Sequence, residues 1–355
     1  MQSEFHLLKP PATYQRLGCI LPRGAPGTFD AHVTGDPCVV WDESAKAYRM
    51  FYFAQGGDDQ KPGCCNAQAL IRIHGDQLQL EKLGPIVYRN QDQLLDSAHK
   101  PWIIMNPYKP AEPARPDGRI WLLTASHKGP HKVVQVAKAD DLAGPWDVQR
   151  EPLVDVGPDD AFDGYHADSP TGWYFPDRQE VLIFYKGYPQ VPQRDQPESL
   201  WGSSLAVASM APTDAVARKL GKMIAPVQRH GHWASGWVGP MQLFPSAGSG
   251  WWGMFNASPT SPAPVEQSPW MREPAPSQAG WAFTSEALPI TGWQVQDQPI
   301  LRVDRLTEAE AADREGVNFW RHHLAVLRDG RMLLLYNSGP YGHERMFGRW
   351  AERPT

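Results

Sequence analysis

The chain has 355 residues, with 34 Lys+Arg against 39 Asp+Glu for a net charge of −5. Hydrophobic residues at 41% and charged residues at 21% are the proportions of a folded globular protein, which excludes wholesale disorder. That charge balance offers no basic stripe for a phosphate backbone, so nucleic acid is not an expected partner; no apolar run approaches the roughly 18 residues of a bilayer span, so neither is a membrane.

The skew lies in 15 Trp, 35 Pro and 31 Gly, which suits an all-β chain with many turns. The tryptophans either fill space between sheets or present flat apolar platforms to a ligand. Cys19, Cys38, Cys64 and Cys65 have no Cys-x-x-Cys spacing and read as ordinary thiols. With no apolar signal core near the N-terminus, the expected location is cytoplasmic.

In chain order, one segment recurs five times. The first copy, HVTGDPCVVWDESAKAYRMFYFA from His32, gives a strand over 39–41, a turn over 42–47 and a strand over 48–53. The second, from Asp96, has strands over 102–105 and 120–123 around a Pro/Gly-rich loop; the third, FDGYHADSPTGWYFPDRQEVLIFYKG, begins at Phe162. The fourth begins at Trp233. The fifth, from Val317, places Asp329-Gly330 at the turn of a tight hairpin over 324–336. Prolines at 37, 101, 170 and 240, with His323 in the fifth place, mark copies about 70 residues apart. Third strands over 133–137, 205–209 and 281–285 lead into Gly144-Pro145-Trp146 and Gly292-Trp293, where a large ring can cover a blade's outer edge. Helix is confined to 213–220 and 307–314. The pattern predicts an all-β, single-domain five-bladed β-propeller spanning 1–355, with blade cores near 32–54, 96–126, 162–187, 233–258 and 317–338. Two β-sandwiches are the alternative, but no linker interrupts the period.

In a propeller the innermost strands run along the axis, so residues just ahead of the recurring prolines converge at one mouth. They are Asp30, His32 and Asp36; Asp96, His99 and Lys100; Asp163, Tyr165, His166 and Asp168; His232, Trp233 and Trp237; and Trp320, Arg321, His322 and His323. Any one of these groups could simply cap a turn. Their recurrence at one place in successive blades points to a site.

Asp36-Pro37 after a glycine, the Ala137–Trp146 tail and the Thr284–Trp293 tail resemble the five-bladed β-propeller glycoside hydrolases: the arabinanase/β-xylosidase, invertase/levansucrase and mannoside-phosphorylase groups. The resemblance covers about 27–340 as a repeat pattern. It implies that Asp36 is a base or nucleophile and that a middle-blade aspartate supports it. Asp168 is near that place but two residues ahead of Pro170 rather than one, and Asp163 competes with it. The family's acid, a glutamate in Glu-Gly-Pro, is replaced in Val238-Gly239-Pro240, and valine donates no proton. Glycoside cleavage ordinarily needs two carboxyl groups. A histidine, His166, His99 or His322, is therefore the candidate acid. Arg321 with His322, and Lys100 with His99, could hold a phosphate or carboxylate.

The leading expectation is a carbohydrate-active enzyme that hydrolyses or transfers a glycosyl group. Asp36, Asp168, Asp163 and His166 are its candidate catalytic groups. Asp30, His32, His99, Lys100, Trp237, Trp320, Arg321 and His322 line the site for a small-molecule or oligosaccharide substrate, Trp233, Trp237 and Trp320 as stacking faces. The alternatives are a non-hydrolytic propeller that binds a sugar or uses the His/Asp cluster otherwise, and a repeat scaffold for protein partners. No cofactor is expected. A divalent metal held by His32, His99, His166 and His322 with Asp36 or Asp168 is compatible with the residue types, but no spacing indicates it. The oligomeric state is left open.

Overall fold

A computed structural model describes residues 4–58, 61–95, 97–189, 202–229, 231–259, 265–268, 271–273, 277–302, 318–340 and 342–352. They form five four-stranded antiparallel blades, each continuing outward from an innermost strand. The innermost strands are Val33–Asp42, His99–Ile103, His166–Phe175, Trp237–Pro245 and His322–Val326. Blade five takes its outer strand from the other end of the chain: Tyr14–Leu21 pairs antiparallel with Arg345–Ala351, from Tyr14↔Ala351 to Leu21↔Met346. The ring is thereby closed by backbone hydrogen bonds between the two ends of the repeat. Val265–Ser268 and Met271–Glu273 add a small hairpin beside blade four, and Met105–Asn106 reaches blade three through a parallel bridge to Trp173.

The recurring proline has a structural cause. In blades one to four the pairing of the innermost strand slips at that point: Gly35/Cys38, His99/Trp102, Asp168/Thr171 and Val238/Met241. A proline cannot donate to a ladder and is tolerated on an edge strand at a bulge, which is where each of these lies. The residue before it is also barred from the right-handed helical region. Asp36, Lys100 and Ser169 answer by adopting left-handed backbone, at φ 53°, 54° and 54°. For non-glycine residues this costs about 1–3 kcal/mol each and persists only where surrounding structure enforces it. Blade five, with His323 in place of proline, pairs without a slip.

Packing decides the use of tryptophan. Trp102, Trp121, Trp146, Trp173 and Trp281 are fully buried. One apolar cluster runs from Val40 and Phe51 through Trp102 and Trp173 to Phe255, and others weld blade five to its neighbours through Tyr52 and Leu333, and through Trp281 and Tyr336. The Gly144-Pro145-Trp146 tail differs from expectation. Trp146 is not laid over an outer edge but stands edge-on against Phe51 of blade one, 5.7 Å between ring centroids. Its ring seals the seam between two blades.

The hairpin at Asp329-Gly330 forms as read, with Gly330 at φ 80° and Leu324 paired to Leu334. The helix expected over 213–220 does not form. Ala211 and Asp214 make a turn, and the chain enters strand Arg218–Ile224, which pairs with Ser204–Met210. An exposed edge of an existing sheet outweighs weak helix propensity. The helix expected over 307–314, the Asp96 opening of blade two and the Val317 opening of blade five lie outside the described residues. Among the described residues no helix is long and apolar enough to cross a membrane.

Ring closure carries a test. Deleting residues 1–21 bares the edge of Arg345–Ala351, and an unpaired edge strand is a template for association. The truncated chain should lose its single cooperative melting transition and aggregate, as read by calorimetry and light scattering.

Candidate active site

The bulges turn polar side chains toward the axis, and the loops joining second and third strands deliver more at the same end. Asp168 is the electrostatic centre. Its Oδ2 accepts from Lys100 Nζ at 2.6 Å and lies 3.5 Å from Lys132 Nζ, while its Oδ1 accepts from the Ser169 N–H at 2.6 Å. Burial alone would raise its pKa, but the two lysines outweigh that and hold the carboxyl well below the usual range. The single-residue offset from Pro170 thus gives the left-handed pose to Ser169 and leaves Asp168 free to take two cations.

Asp36 is 6% exposed, and its backbone N–H donates to Asn337 Oδ1 at 3.2 Å. Burial raises its pKa, against the pull of Lys100 and Arg321. Arg321, also buried, donates from Nη1 to the Lys100 carbonyl at 3.1 Å and from Nη2 to the Pro170 carbonyl. One guanidinium therefore ties the bulges of blades two and three to blade five. Burial costs Lys100 basicity and brings its pKa down to about 8.

The structure thus brings Asp36, Asp168, Lys100 and Arg321 together, and adds Lys132, Asn337 and Glu344, which the sequence reading passed over. Lys132 and Glu344 precede or open third strands, where no repeating proline flags them. Glu344 is 5% exposed, its Oε2 has no hydrogen-bond partner among the described residues, and burial lifts its pKa to about 8, with the Asp36 charge acting in the same direction.

The other candidate residues stand in different surroundings. Asp163 accepts from Tyr185 Oη at 2.8 Å and Lys219 Nζ at 2.7 Å, which fastens an outer strand to the blade's inner end. Asp30 is bound likewise by Lys82 Nζ at 2.6 Å and Thr28 Oγ1 at 2.9 Å. Gly24 and Gly157 leave room for these carboxylates: a Cβ there would meet Asp30 Oδ1 at 2.0 Å and Asp163 Oδ1 at 2.4 Å. Both aspartates are blade clamps. Burial lowers the basicity of three of the candidate histidines. Burial and nearby cations bring His166 to about 3, and burial with Arg321 brings His322 to about 4. His99 is driven well below its ordinary value by burial, Lys132 and Lys100. His166 Nδ1 accepts the Lys132 N–H at 2.9 Å, His322 Nε2 meets the Met254 carbonyl at 3.0 Å, and His323 Nδ1 accepts from Val39 at 2.7 Å. They staple blades together as neutral rings. His99 stacks on Phe53 at 5.0 Å, and His32 lies 6.4 Å from the His343 ring. Among the described residues no three His, Cys, Asp or Glu side chains form a group able to hold a metal, so the imagined His/Asp convergence does not occur.

Of the stacking candidates, Trp233 is buried and bonded to the Gln296 carbonyl at 2.7 Å. Trp237 is 3% exposed, sandwiched by Lys186 Nζ at 3.8 Å and by Trp320, whose ring is parallel within 13° at 6.1 Å. Trp320 alone keeps a partly exposed face. A separate cavity of about 300 Å³, lined by Ile224, Arg229, His232, Trp293 and Asp297, lies between the outer strands of blades three and four, away from the axial charges.

No family model and no curated protein matches this chain. Solved structures do. The chain is similar to a structure named as a glycoside hydrolase (TM-score 0.64, 13% identity, 96% of this chain and 93% of that one covered). It is similar to a thermostable family-43 glycoside hydrolase (TM-score 0.61, 14% identity, 95% and 91% covered) and to an endo-arabinase from Bacteroides thetaiotaomicron (TM-score 0.59, 10% identity, 94% and 98% covered). At these identities the likeness establishes the fold: this is the five-bladed propeller on which glycoside hydrolases are built.

Two measurements separate clamp from site. Asp163→Asn should lower stability by about 1–3 kcal/mol by weakening buried hydrogen bonds, while leaving ligand binding at the mouth intact. Acid should also destabilise the fold. His166, His322 and His323 have folded pKa values of about 3, 4 and 3, below the unfolded 6.5. The unfolded chain therefore takes up protons that the native one refuses, so their contribution is complete above pH 6.5 and erodes as pH falls toward 4. A melting temperature that stays flat over that range would contradict the neutral assignment.

Proposed function

We propose that the protein is a carbohydrate-active enzyme that hydrolyses or transfers a glycosyl group at the axial mouth, with Asp36 as base or nucleophile and Asp168 as its supporting carboxylate. The observation that carries this reading is the meeting of Asp36 and Asp168 with Lys100, Lys132 and Arg321, on strands far apart in sequence, in a propeller shared with glycoside hydrolases. Asp36 is the member held near two cations while its carboxylate bonds to neither, which leaves it available to a water or an anomeric carbon. Asp168, already engaged by two lysines, is fixed as an anion and sets the field in which Asp36 works.

The charge count favours a substrate with an anionic group. Two aspartates face Lys100, Lys132 and Arg321, with Lys186 nearby over Trp237. A uronic acid or a sugar phosphate fits such a surplus, as does inorganic phosphate acting in place of water, so phosphorolysis stays within the proposal. Trp320 supplies the partly exposed ring on which a sugar face would rest. The four cysteines are free thiols, which agrees with a reduced cytoplasmic setting, and that location is part of the same reading.

The left-handed backbone at residue 36 makes the decisive variant clean, because asparagine tolerates that conformation as well as aspartate does. Asp36→Asn should keep its melting temperature within a few degrees and lose at least about 10³-fold in turnover of aryl glycosides, assayed with and without phosphate. Unchanged turnover in a folded variant removes Asp36 from the chemistry.

A further inference from the structure

Val238 stands where the resemblance would place a glutamate, and burial makes the nearby histidines weak candidates for its role. The missing carboxyl is found at a different junction. Blades two and three, and blades five and one, meet at corresponding positions through different bonds. At the first junction the Lys132 N–H reaches His166, two residues ahead of Asp168, and the Lys132 side chain reaches Asp168 itself. At the second, the Glu344 carbonyl accepts from the N–H of Thr34, two residues ahead of Asp36, at 3.2 Å. Glu344 therefore stands to Asp36 as Lys132 stands to Asp168. One junction carries opposite charges and forms an ion pair; the other carries two carboxyls.

We propose that Glu344 is the proton donor of this site, paired with Asp36 across the junction of blades five and one; this rests on the glycosyl-transfer reading above. The geometry supports it in two ways. Glu344 is buried at the junction that carries Asp36, and its Oε2 is enclosed with no hydrogen-bond partner among the described residues, so one carboxyl oxygen is uncommitted. Its backbone is pinned by the bond to Thr34, which fixes its height along the axis.

The electrostatics divide the roles. Asp36 is pulled toward ionisation by Lys100, Arg321 and Lys132 and pushed from it by its burial and by Asp168. The charges that act on Glu344 are Asp36 and Arg23; Arg23 Nη1 lies 3.2 Å from His343 Nδ1, and His32 stands beside that ring. Two neighbouring buried carboxyls do not both ionise readily, and the one with more cations goes first. Burial lifts the pKa of Glu344 to about 8, so it keeps its proton at neutral pH, while Lys100 and Arg321 oppose the upward push of burial on Asp36 and make it the better anion of the two. In the reaction Glu344 passes that proton to the glycosidic oxygen as the bond from C1 to that oxygen breaks, and the alcohol leaves neutral. In hydrolysis, a water oxygen bonds to C1 and gives a proton to Asp36. One proton then returns from Asp36 to Glu344, which restores both groups.

Glu344→Gln tests this, because the amide keeps the size and the carbonyl acceptor but has no acidic proton. The probes are a dinitrophenyl glycoside, whose leaving group needs no protonation, and a methyl glycoside of the same sugar, drawn from a panel of neutral and uronic sugars. The expected result is a loss of about 10²–10⁴-fold on the methyl glycoside, little loss on the dinitrophenyl glycoside, and disappearance of the alkaline limb of the pH profile near 8. Equal losses on both probes, or none, overturn the assignment. A second readout needs no turnover: difference infrared spectra of wild type and Glu344→Gln at pH 7 should show the carbonyl stretch of a protonated carboxyl in the wild type alone. Should no glycoside be turned over, the glycosyl reading fails by itself while the spectrum still decides whether Glu344 holds a proton; absence of the band overturns the inference.

Discussion

Burial of unequal charge on the propeller axis is the constraint on which the rest of this structure depends. Asp36, Asp168 and Arg321 have little access to water and Lys100 is only partly exposed; Lys100 bonds to Asp168, Arg321 to backbone carbonyls, and Asp36 lies in the field of the cations. A charge taken from water is costly unless paired, and breaking one buried pair leaves the other partner stranded. The inner strands are therefore held in register by electrostatics as well as by apolar packing. The left-handed residues at the three proline bulges show the same thing from the backbone side: strain is accepted where the polar groups must point inward.

Around that core the propeller divides its labour by depth. Near the mouth, clamps such as Asp163 with Lys219 and Asp30 with Lys82 tie outer strands to inner ones. Farther in, neutral histidines take the place of apolar side chains and bond to backbone groups of adjacent blades. Residues of the same type thus do different work according to their partners. Asp163 and Asp168 are five positions apart, yet one closes a blade and the other organises the axial field.

Much of this was legible in the sequence because the fold is a repetition. The prolines at 37, 101, 170 and 240 gave the blades and the place where Asp36, Lys100 and Asp168 meet, since each marks a bulge on an axial strand. What escaped has a common physical reason. Lys132 and Glu344 sit where third strands begin, and their importance comes from the neighbouring blade, a relation with no linear signature. The histidines show the opposite case: their positions follow the repeat, but the burial that lowers their basicity is invisible in sequence. The segment 213–220 looked helical by local preference and became a strand because a sheet edge was waiting for it.

The seam between Tyr14–Leu21 and Arg345–Ala351 has a temporal meaning. A ribosome makes Tyr14–Leu21 before all the other blade strands and Arg345–Ala351 after them, so blade five can be completed only when that late strand has emerged. The same late strand begins beside Glu344, and its neighbour Met332–Ser338 carries Asn337, which holds the backbone of Asp36. Four blades can stack before that moment without assembling the mouth. The strand that completes the ring is thus also among the last pieces needed to complete the axial cluster.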